Sequence, residues 1–581
     1  MTSAPIIAPV PAGRDVRFPD DFNLADYWLY DRLAAGRGNH VAIRLGDRRW
    51  TYAEVADRSQ ALARSLQEAG LAPGERVFIV LPDLPPFAWA IFATLTAGGV
   101  VTMGNPVAPA ADLARVIEYV GARVLITTPA VADAILPELG RTTRLVKILL
   151  VPDVGIDDDP EATVTAGPVL GGSKRAWASL DRAVASGIPS ARGRPRTHRD
   201  DWAIWLFTSG STGTPKAAMH CHRDFAFNTE VYAKATMGYR ADDITVSVPR
   251  LFFGYATGTN LWFPFAVGAT VCLFPERPTP ESLLAAIARY RPTIVTNVPT
   301  MLAKLLDFDD ERRARGEPAL DLSCVRFHLS AGEALPPALL ERFLARFAGA
   351  VYDGIGSAEM FHIYCTNRPG DVVPGSLGRA VPGYQLAILP EDADSAGAPA
   401  VPTGEIGVLW VRGDSVAQGY FQDRDKSWRT FHGHWCRTGD LFRIDERGYL
   451  WFSGRADDLL KVGGVFVAPL EVEECLCTHA AVSGAAVIGA QEQGLTKPKA
   501  IVVVRPEARA RLADAAARSA LAAELQDHVR ARLSKHKYPR WVEFVDELPR
   551  NDRGKVDKKL LAARDAAGEL AVIGDEPLVR A

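Results

Sequence analysis

The stretch FTSGSTGTPKAA, residues 207–218, decides how the chain is read. A run of Gly, Ser and Thr ending in Pro215-Lys216 suits two purposes, cradling phosphates or turning the chain. It does not follow the P-loop pattern, in which glycine precedes the lysine. The physics is shared nonetheless. Glycines let backbone N–H groups approach phosphate oxygens, the hydroxyls of Thr208, Ser209, Ser211 and Thr212 add donors, and Lys216 supplies charge. The preceding DWAIWLF (201–207) reads as a buried strand, so the loop leaves a sheet end, where ligands commonly bind. On its own the loop leaves both purposes open.

Outward from it, helix-then-strand units recur. WTYAEVADRSQALARSLQEAGLAPGERVFIVLP reads as an amphipathic helix, a Gly-Pro-Gly turn and an apolar strand, and DLARVIEYVGARVLITT and PESLLAAIARYRPTIVTNVP repeat the order. Such repetition predicts an α/β fold of parallel sheets covered by helices. Residues 151–200, polar and rich in Gly, Pro and Asp, read as a surface excursion. Beyond residue 404, TGEIGVLWVRGDSVAQGYF and GYLWFSGRADDLLKVGG predict a small β-rich subdomain. A small α+β domain follows: helix PLEVEECLCTHA, strands GAAVIGA and KAIVVVRP, and one long helix from about Ala508 to Leu533, with a frayed tail after Lys559. At 581 residues more than one core is expected, and the divisions fall at 1–455, 456–464 and 465–581.

Composition excludes several classes. The 66 basic and 69 acidic residues nearly cancel, leaving no electrostatic footprint for nucleic acid or an anionic membrane. Seven cysteines, scattered, do not make a disulfide framework. Cys475 and Cys477 sit two apart on a helix and point to different sides; HCH at 220–222 places two rings on one strand face without a further ligand. Neither reads as a metal site. Leu84 to Ala111 carries no charge, but its prolines and glycines break it into a helix and a strand, better buried than membrane-spanning. The N-terminus lacks a basic-then-apolar leader, so a cytoplasmic location is expected.

Downstream of the loop stand SAGEAL (Ser330–Leu335), YDGIGSAEM (Tyr352–Met360), RTGD (Arg437–Asp440), GRADDLLKVGG (Gly454–Gly464) and PRNDRGKVDKKLL (Pro549–Leu561). In this order and spacing they resemble the adenylate-forming enzymes, the group of acyl- and aryl-CoA synthetases, luciferases and adenylation domains, over residues 20 to 561. The resemblance implies a large N-terminal domain, a mobile C-terminal domain, and two half-reactions using ATP, Mg²⁺ and coenzyme A. It assigns the β- and γ-phosphates to Thr208, Ser209, Gly210, Ser211, Thr212, Gly213 and Lys216, with Glu359 and Thr208 toward Mg²⁺. Asp440 would take the ribose hydroxyls, with Arg455 beside ribose and phosphate. Adenine would lie between Gly332-Glu333 and Asp353-Gly354-Ile355. Ile355 departs from the aromatic many members carry there, replacing stacking by aliphatic contact. Lys555 matches the catalytic lysine of the small domain, with Lys558 and Lys559 as neighbours of the same charge. Asp457 matches the hinge, and Lys461, Gly463 and Gly464 the loop that admits the pantetheine arm.

The acid pocket is expected in LFFGYATG (Leu251–Gly258), SAG and DGIGSAEMFHIY. Its aromatics suit a ring better than a flexible chain. Within the family these stretches look most like benzoate-CoA ligases and their 2-amino- and hydroxybenzoate relatives. The resemblance places Tyr255 beside the carboxylate, Phe253 and Gly254 alongside, Ala331, Gly354 and Gly356 as walls and floor, and His362 at the ring. Trp262 and Phe263 read as core. Unsubstituted benzoate is the first expectation, acting in a monomer or homodimer. A carrier-protein loader, a fatty-acid ligase and a catalytically inactive nucleotide binder are the competing readings.

Overall fold

The computed structural model describes residues 16–140, 144–151, 176–179, 194–209, 215–455, 460–462, 465–492, 495–550, 556–570 and 572–573. The chain divides into two units: residues 1–387, 410–438 and 448–450, and residues 388–409, 439–447 and 451–581. Strands Gln385–Leu389, Gly407–Arg412, Trp435–Ile444 and Leu450–Arg455 each give residues to both.

The first unit holds a seven-stranded and a nine-stranded sheet. In the seven-stranded sheet, Ala176–Ser179, Lys147–Leu150, Val124–Thr127, Arg76–Val80, Val100–Met103 and Trp202–Ser209 run parallel, and Pro215–Cys221 closes the edge antiparallel. In the nine-stranded sheet, a parallel centre ends at Phe327–Ser330 and Ala350–Gly356, beyond which Ile363–Thr366 returns antiparallel. The alternation of helix and strand produces this, because parallel neighbours require a helical crossover. Helix Tyr52–Glu68 shows how local the signals are. Thr51 accepts from Glu54 N and Glu54 answers to Thr51 N, a capping box worth about 1 kcal/mol. Val55, Ala56, Ser59, Leu62, Ala63 and Leu66 then face inward at helical spacing. Pro85–Thr96 is buried on every side and, at about 18 Å long, is followed by the internal strand Val100–Met103. This is the helix-strand unit expected for the uncharged stretch. Among the described residues no helix is long and apolar enough to cross a membrane.

The second unit carries a three-stranded sheet in which Val482–Glu492 pairs antiparallel with Leu495–Val504, and that strand pairs parallel with Trp541–Phe544. Helix Pro469–Cys477 buries Cys475 and exposes Cys477, on different sides as its spacing requires. Two expectations are corrected. The long helix from Ala508 is two elements: a 3-10 stretch Pro506–Leu512, then helix Ala515–Arg530, which starts where Asp514 accepts from Ala517 N at 2.8 Å. Among the described residues the chain just after Lys559 is not frayed, while residues 571 and 574–581 lie outside them. Lys558–Ala567 is a helix capped by Asp557 and closed by left-handed Gly568; its Leu561 is fully buried and its Asp565 pairs with Lys499.

Candidate active site

The Trp202–Ser209 and Pro215–Cys221 strands pair with Thr208 opposite Lys216 and Ser209 opposite Pro215. The hairpin register therefore pins both ends of the Gly/Ser/Thr loop, while Gly210, Ser211, Thr212 and Gly213 lie outside the described residues. Lys216 Nζ stands 3.7 Å from Asp423 Oδ2 and 5.8 Å over the Tyr420 ring. Tyr420 is buried and donates its hydroxyl to Glu359 Oε1 at 2.7 Å. Burial, reinforced by the Glu359 carboxylate, pushes the phenol pKa up, so it stays a donor. Asp423 also caps the helix Arg424–Thr430, accepting from Lys426 N at 3.1 Å. Ala218, between Lys216 and His220 on the same strand, bridges to Tyr420 and packs in a small cluster with Ala417 and Tyr420. A lysine, two carboxylates and a phenol thus converge beside the loop.

Glu359 sits in a tight turn. After strand Ala350–Gly356, the 3-10 turn Ala358–Met360 packs against strand Trp202–Ser209, which carries Thr208. Phe361 then adopts φ 69°, ψ −58°, and His362 N donates to Met360 O at 2.9 Å. This is the strained, positive-φ γ-turn. Its carbonyls are held from outside: Glu359 O accepts from Ala417 N at 2.8 Å and Met360 O from Ser415 Oγ at 2.9 Å. Ser415 is itself bonded to Tyr384, and Tyr384 to Asn228.

Three residues past Glu359, His362 lies in an apolar setting. Its ring is 4.8 Å from Phe263, 5.3 Å from Tyr232 and 5.4 Å from Tyr255, centroid to centroid. Nε2 lies 3.1 Å from the Tyr255 carbonyl oxygen. A carbonyl only accepts, so Nε2 carries the proton and Nδ1 is left as a lone-pair acceptor. Nδ1 is buried and, like the buried Tyr255 hydroxyl, has no hydrogen-bond partner among the described residues. Burial pushes the imidazole down to about 3, keeping it neutral. The backbone makes room for this ring. A Cβ at Gly356 would lie 2.5 Å from the His362 carbonyl oxygen, and one at Gly258 2.7 Å from its Nε2. Phe252 and Phe253 pack at 4.2 Å between centroids, one residue before Gly254. Trp262 and Phe263 are fully buried, the core role expected of them.

Asp353 pairs across strands with Ser330, next to Ala331. Burial pushes its carboxyl up to about 7 against the pull of the Ser330 hydroxyl and Gly354 N–H. Its Oδ1 is buried without a hydrogen-bond partner among the described residues. Gly354 and half-buried Ile355 continue the same strand. Glu333 follows Gly332 and accepts from Thr300 Oγ1 at 2.6 Å, at the start of helix Pro299–Ala314.

In the second unit, Arg455 Nε lies 3.6 Å from Asp440 Oδ1. Lys461 is in the short strand Leu460–Val462. Asp457, Gly463, Gly464 and Lys555 lie outside the described residues. Lys558 pairs with Glu473 at 2.7 Å, so one of the two lysines near Lys555 has a structural partner. A Mg²⁺ site would draw on the Glu359 carboxylate and Thr208 hydroxyl. Both are hard oxygen donors, as Mg²⁺ prefers, and phosphates and water complete such sites. Among the described residues no group of three or more His, Cys, Asp or Glu could hold a metal alone.

Sequence reasoning missed Tyr420 and Asp423, and held Gly258 only as the end of the LFFGYATG stretch. Long-range backbone contacts bring Tyr420 and Asp423 to the loop: Ala218 bridges to Tyr420, Phe421 N donates to Ala217 O, and Met219 exchanges hydrogen bonds with Gln418 and Gly419. No local pattern carries these.

The AMP-binding enzyme pattern matches residues 30–421, and the AMP-binding enzyme C-terminal domain pattern matches residues 471–555. The chain is 36% identical over 545 residues to a benzoate–CoA ligase of Thauera aromatica, covering 94% of this chain and 96% of that one. Among solved structures, it is similar to the anthranilate CoA ligase AuaEII in complex with anthranoyl-AMP (TM-score 0.81, 32% identity, 95% of this chain and 99% of that one). It is also similar to a benzoate CoA ligase from Burkholderia xenovorans LB400 (TM-score 0.77, 34% identity, 93% and 99%).

Proposed function

The chain belongs to the AMP-binding enzymes, and from that premise we propose that it converts benzoate to its CoA thioester, as a cytoplasmic monomer or homodimer. The supporting observation is the Glu359–His362 turn, with Lys216, Tyr420 and Asp423 on the Glu359 side and an aromatic setting at His362. A carboxylate oxygen attacks the α-phosphorus of ATP while the bond to pyrophosphate breaks. The CoA sulfur then attacks the acyl carbon and AMP leaves. The first step brings anions together, so its barrier is electrostatic. Lys216 and the loop hold the triphosphate, and Lys555 neutralises charge that grows between carboxylate and α-phosphate. Bound Mg²⁺, held by Glu359 with Thr208, would offset phosphate charge. Asp440 and Arg455 take the ribose, Asp353 the adenine amino group, Asp457 acts as the hinge, and Lys461–Gly464 admit pantetheine.

One observation favours a second reading, a ring bearing an amino or hydroxyl group. Among the described residues His362 Nδ1 is a buried acceptor without a donor, and the Tyr255 hydroxyl has no hydrogen-bond partner. Leaving such groups unmet is costly, and a 2-amino- or hydroxybenzoate offers the missing partner. ATP–pyrophosphate exchange across benzoate, 2-aminobenzoate, 4-hydroxybenzoate and a medium-chain fatty acid separates the readings. Exchange with no acid at all would end the proposal. Lys555→Ala is expected to lose adenylate formation yet still convert preformed benzoyl-AMP with free CoA. Turnover only with a carrier protein would move the acceptor from CoA to that carrier.

A further inference from the structure

The reaction leaves the HCH motif unused. Its rings do not share a strand face, because the strand ends at Cys221 and His222 opens helix His222–Asn228. His222 Nδ1 accepts from Leu24 N at 3.2 Å. His220 is fully buried, with Nε2 2.6 Å from the Ala358 carbonyl oxygen and Nδ1 3.2 Å from Asp224 Oδ2. Asp224 Oδ2 also accepts from Cys221 N at 2.9 Å, which fixes the carboxyl. Since the carbonyl cannot donate, Nε2 carries a proton whichever partner holds the one between Nδ1 and Oδ2.

Ala358 is the residue before Glu359, and its carbonyl opens the strained turn. Backbone strain of this kind costs about 1–3 kcal/mol and persists only where surroundings over-determine it. Here three successive carbonyls are gripped, Ala358 by His220, Glu359 by Ala417 and Met360 by Ser415. His220 differs from the other two in origin. It stands on the strand that carries Lys216, four residues along and so on the same face, about 13 Å away.

We propose that His220, itself held by Asp224, is a positioning residue that ties the Glu359 turn to the strand of the phosphate-loop lysine, setting where the Glu359 carboxylate meets the triphosphate. The inference rests on Glu359 acting at the phosphates, as proposed above.

Four variants test it: His220→Leu, which removes the donor, His220→Gln, which keeps one, Asp224→Asn, and Glu359→Gln. Each is first checked for a cooperative melt. In ATP–pyrophosphate exchange with benzoate, His220→Leu is expected to lower kcat about 10- to 100-fold, the scale of a small misplacement, with KM for benzoate within about twofold. His220→Gln should recover most of the loss, and Asp224→Asn should fall between. Calorimetric titration with ATP, with and without Mg²⁺, gives a second readout. Mg²⁺ should tighten ATP binding to the wild type, and His220→Leu and Glu359→Gln should each lose that gain. Their combination should lose no more than either alone. Wild-type kcat and Mg²⁺ response in His220→Leu, or losses that multiply in the double variant, would overturn the role. Equal impairment in His220→Leu and His220→Gln would overturn it too, by reducing His220 to packing. Full activity of Glu359→Gln would instead overturn the reading on which the inference rests. Should His220→Leu not fold, His220→Gln and Asp224→Asn decide through the same KM-against-kcat split.

Discussion

Glu359 and His362 are three residues apart, yet the regions around them are built on opposite terms. At Glu359 charge meets charge: a phenol donates to the carboxylate, and a lysine stands over that phenol facing a second carboxylate. At His362 the surroundings are rings, and an acceptor nitrogen and a neighbouring hydroxyl are buried without partners among the described residues. Paired charges suit the triphosphate, which every substrate shares. On the proposed function, unmet polar atoms in an apolar setting report on the variable partner, the acid. On that same reading, chemistry and choice are separated by a single strained turn.

The largest effect expected is at the charged end. Glu359→Gln should lower exchange about 100-fold or more with every acid while leaving the order of acids unchanged. His362→Ala should do the reverse, shifting the order of benzoate, 2-aminobenzoate and 4-hydroxybenzoate by about 10-fold with KM for ATP unmoved. If Glu359→Gln reordered the acids, or His362→Ala changed only ATP use, the separation would be wrong. Next in size, Tyr420→Phe removes one charge-assisted hydrogen bond, about 1.5–3 kcal/mol, and should slow exchange about tenfold with all acids alike. A loss confined to one acid would place Tyr420 on the selective side.

The smallest effect is in the pH dependence of stability. Burial pushes His222 and His362 down to about 3 and His328 to about 4. Below the ordinary histidine value the unfolded chain binds protons that the fold refuses, so these three lower stability as pH falls. Asp353, pushed up to about 7, works oppositely: between there and its ordinary 3.8 the fold keeps a proton that the unfolded chain has released. Buried Asp83, pushed up to about 6, and buried Asp224, also raised, oppose the histidines in the same way. Asp353→Asn, by removing one of these opposing groups, should make Tm fall more steeply than in the wild type between pH 7 and pH 5. A shallower fall would contradict the burial of Asp353.

Much of this was legible in the chain because the signals are local. The Gly/Ser/Thr loop follows its own strand, and the helix-strand units carry their caps and periodicity within about thirty residues. What stayed hidden is long-range. Tyr420 and Asp423 reach Lys216 through backbone contacts between residues 418–421 and the strand Pro215–Cys221, some two hundred residues away in sequence. Element ends were misjudged where one side chain decides. Asp514 starts a helix that composition began at Ala508, and Asp557 with buried Leu561 starts a helix, Lys558–Ala567, where the alanines made the chain look loose. The histidine pair was misread because Cys221 ends the strand between the two rings.

The methyl group of Ala218 occupies the gap between the strand and Tyr420. It works as a shim. Thicken it by even one branch and the segment bearing Tyr420 must lift, drawing the phenol from the carboxylate and its ring from the lysine together. A single small side chain thereby sets the clearance between the lysine's strand and the phenol that holds Glu359.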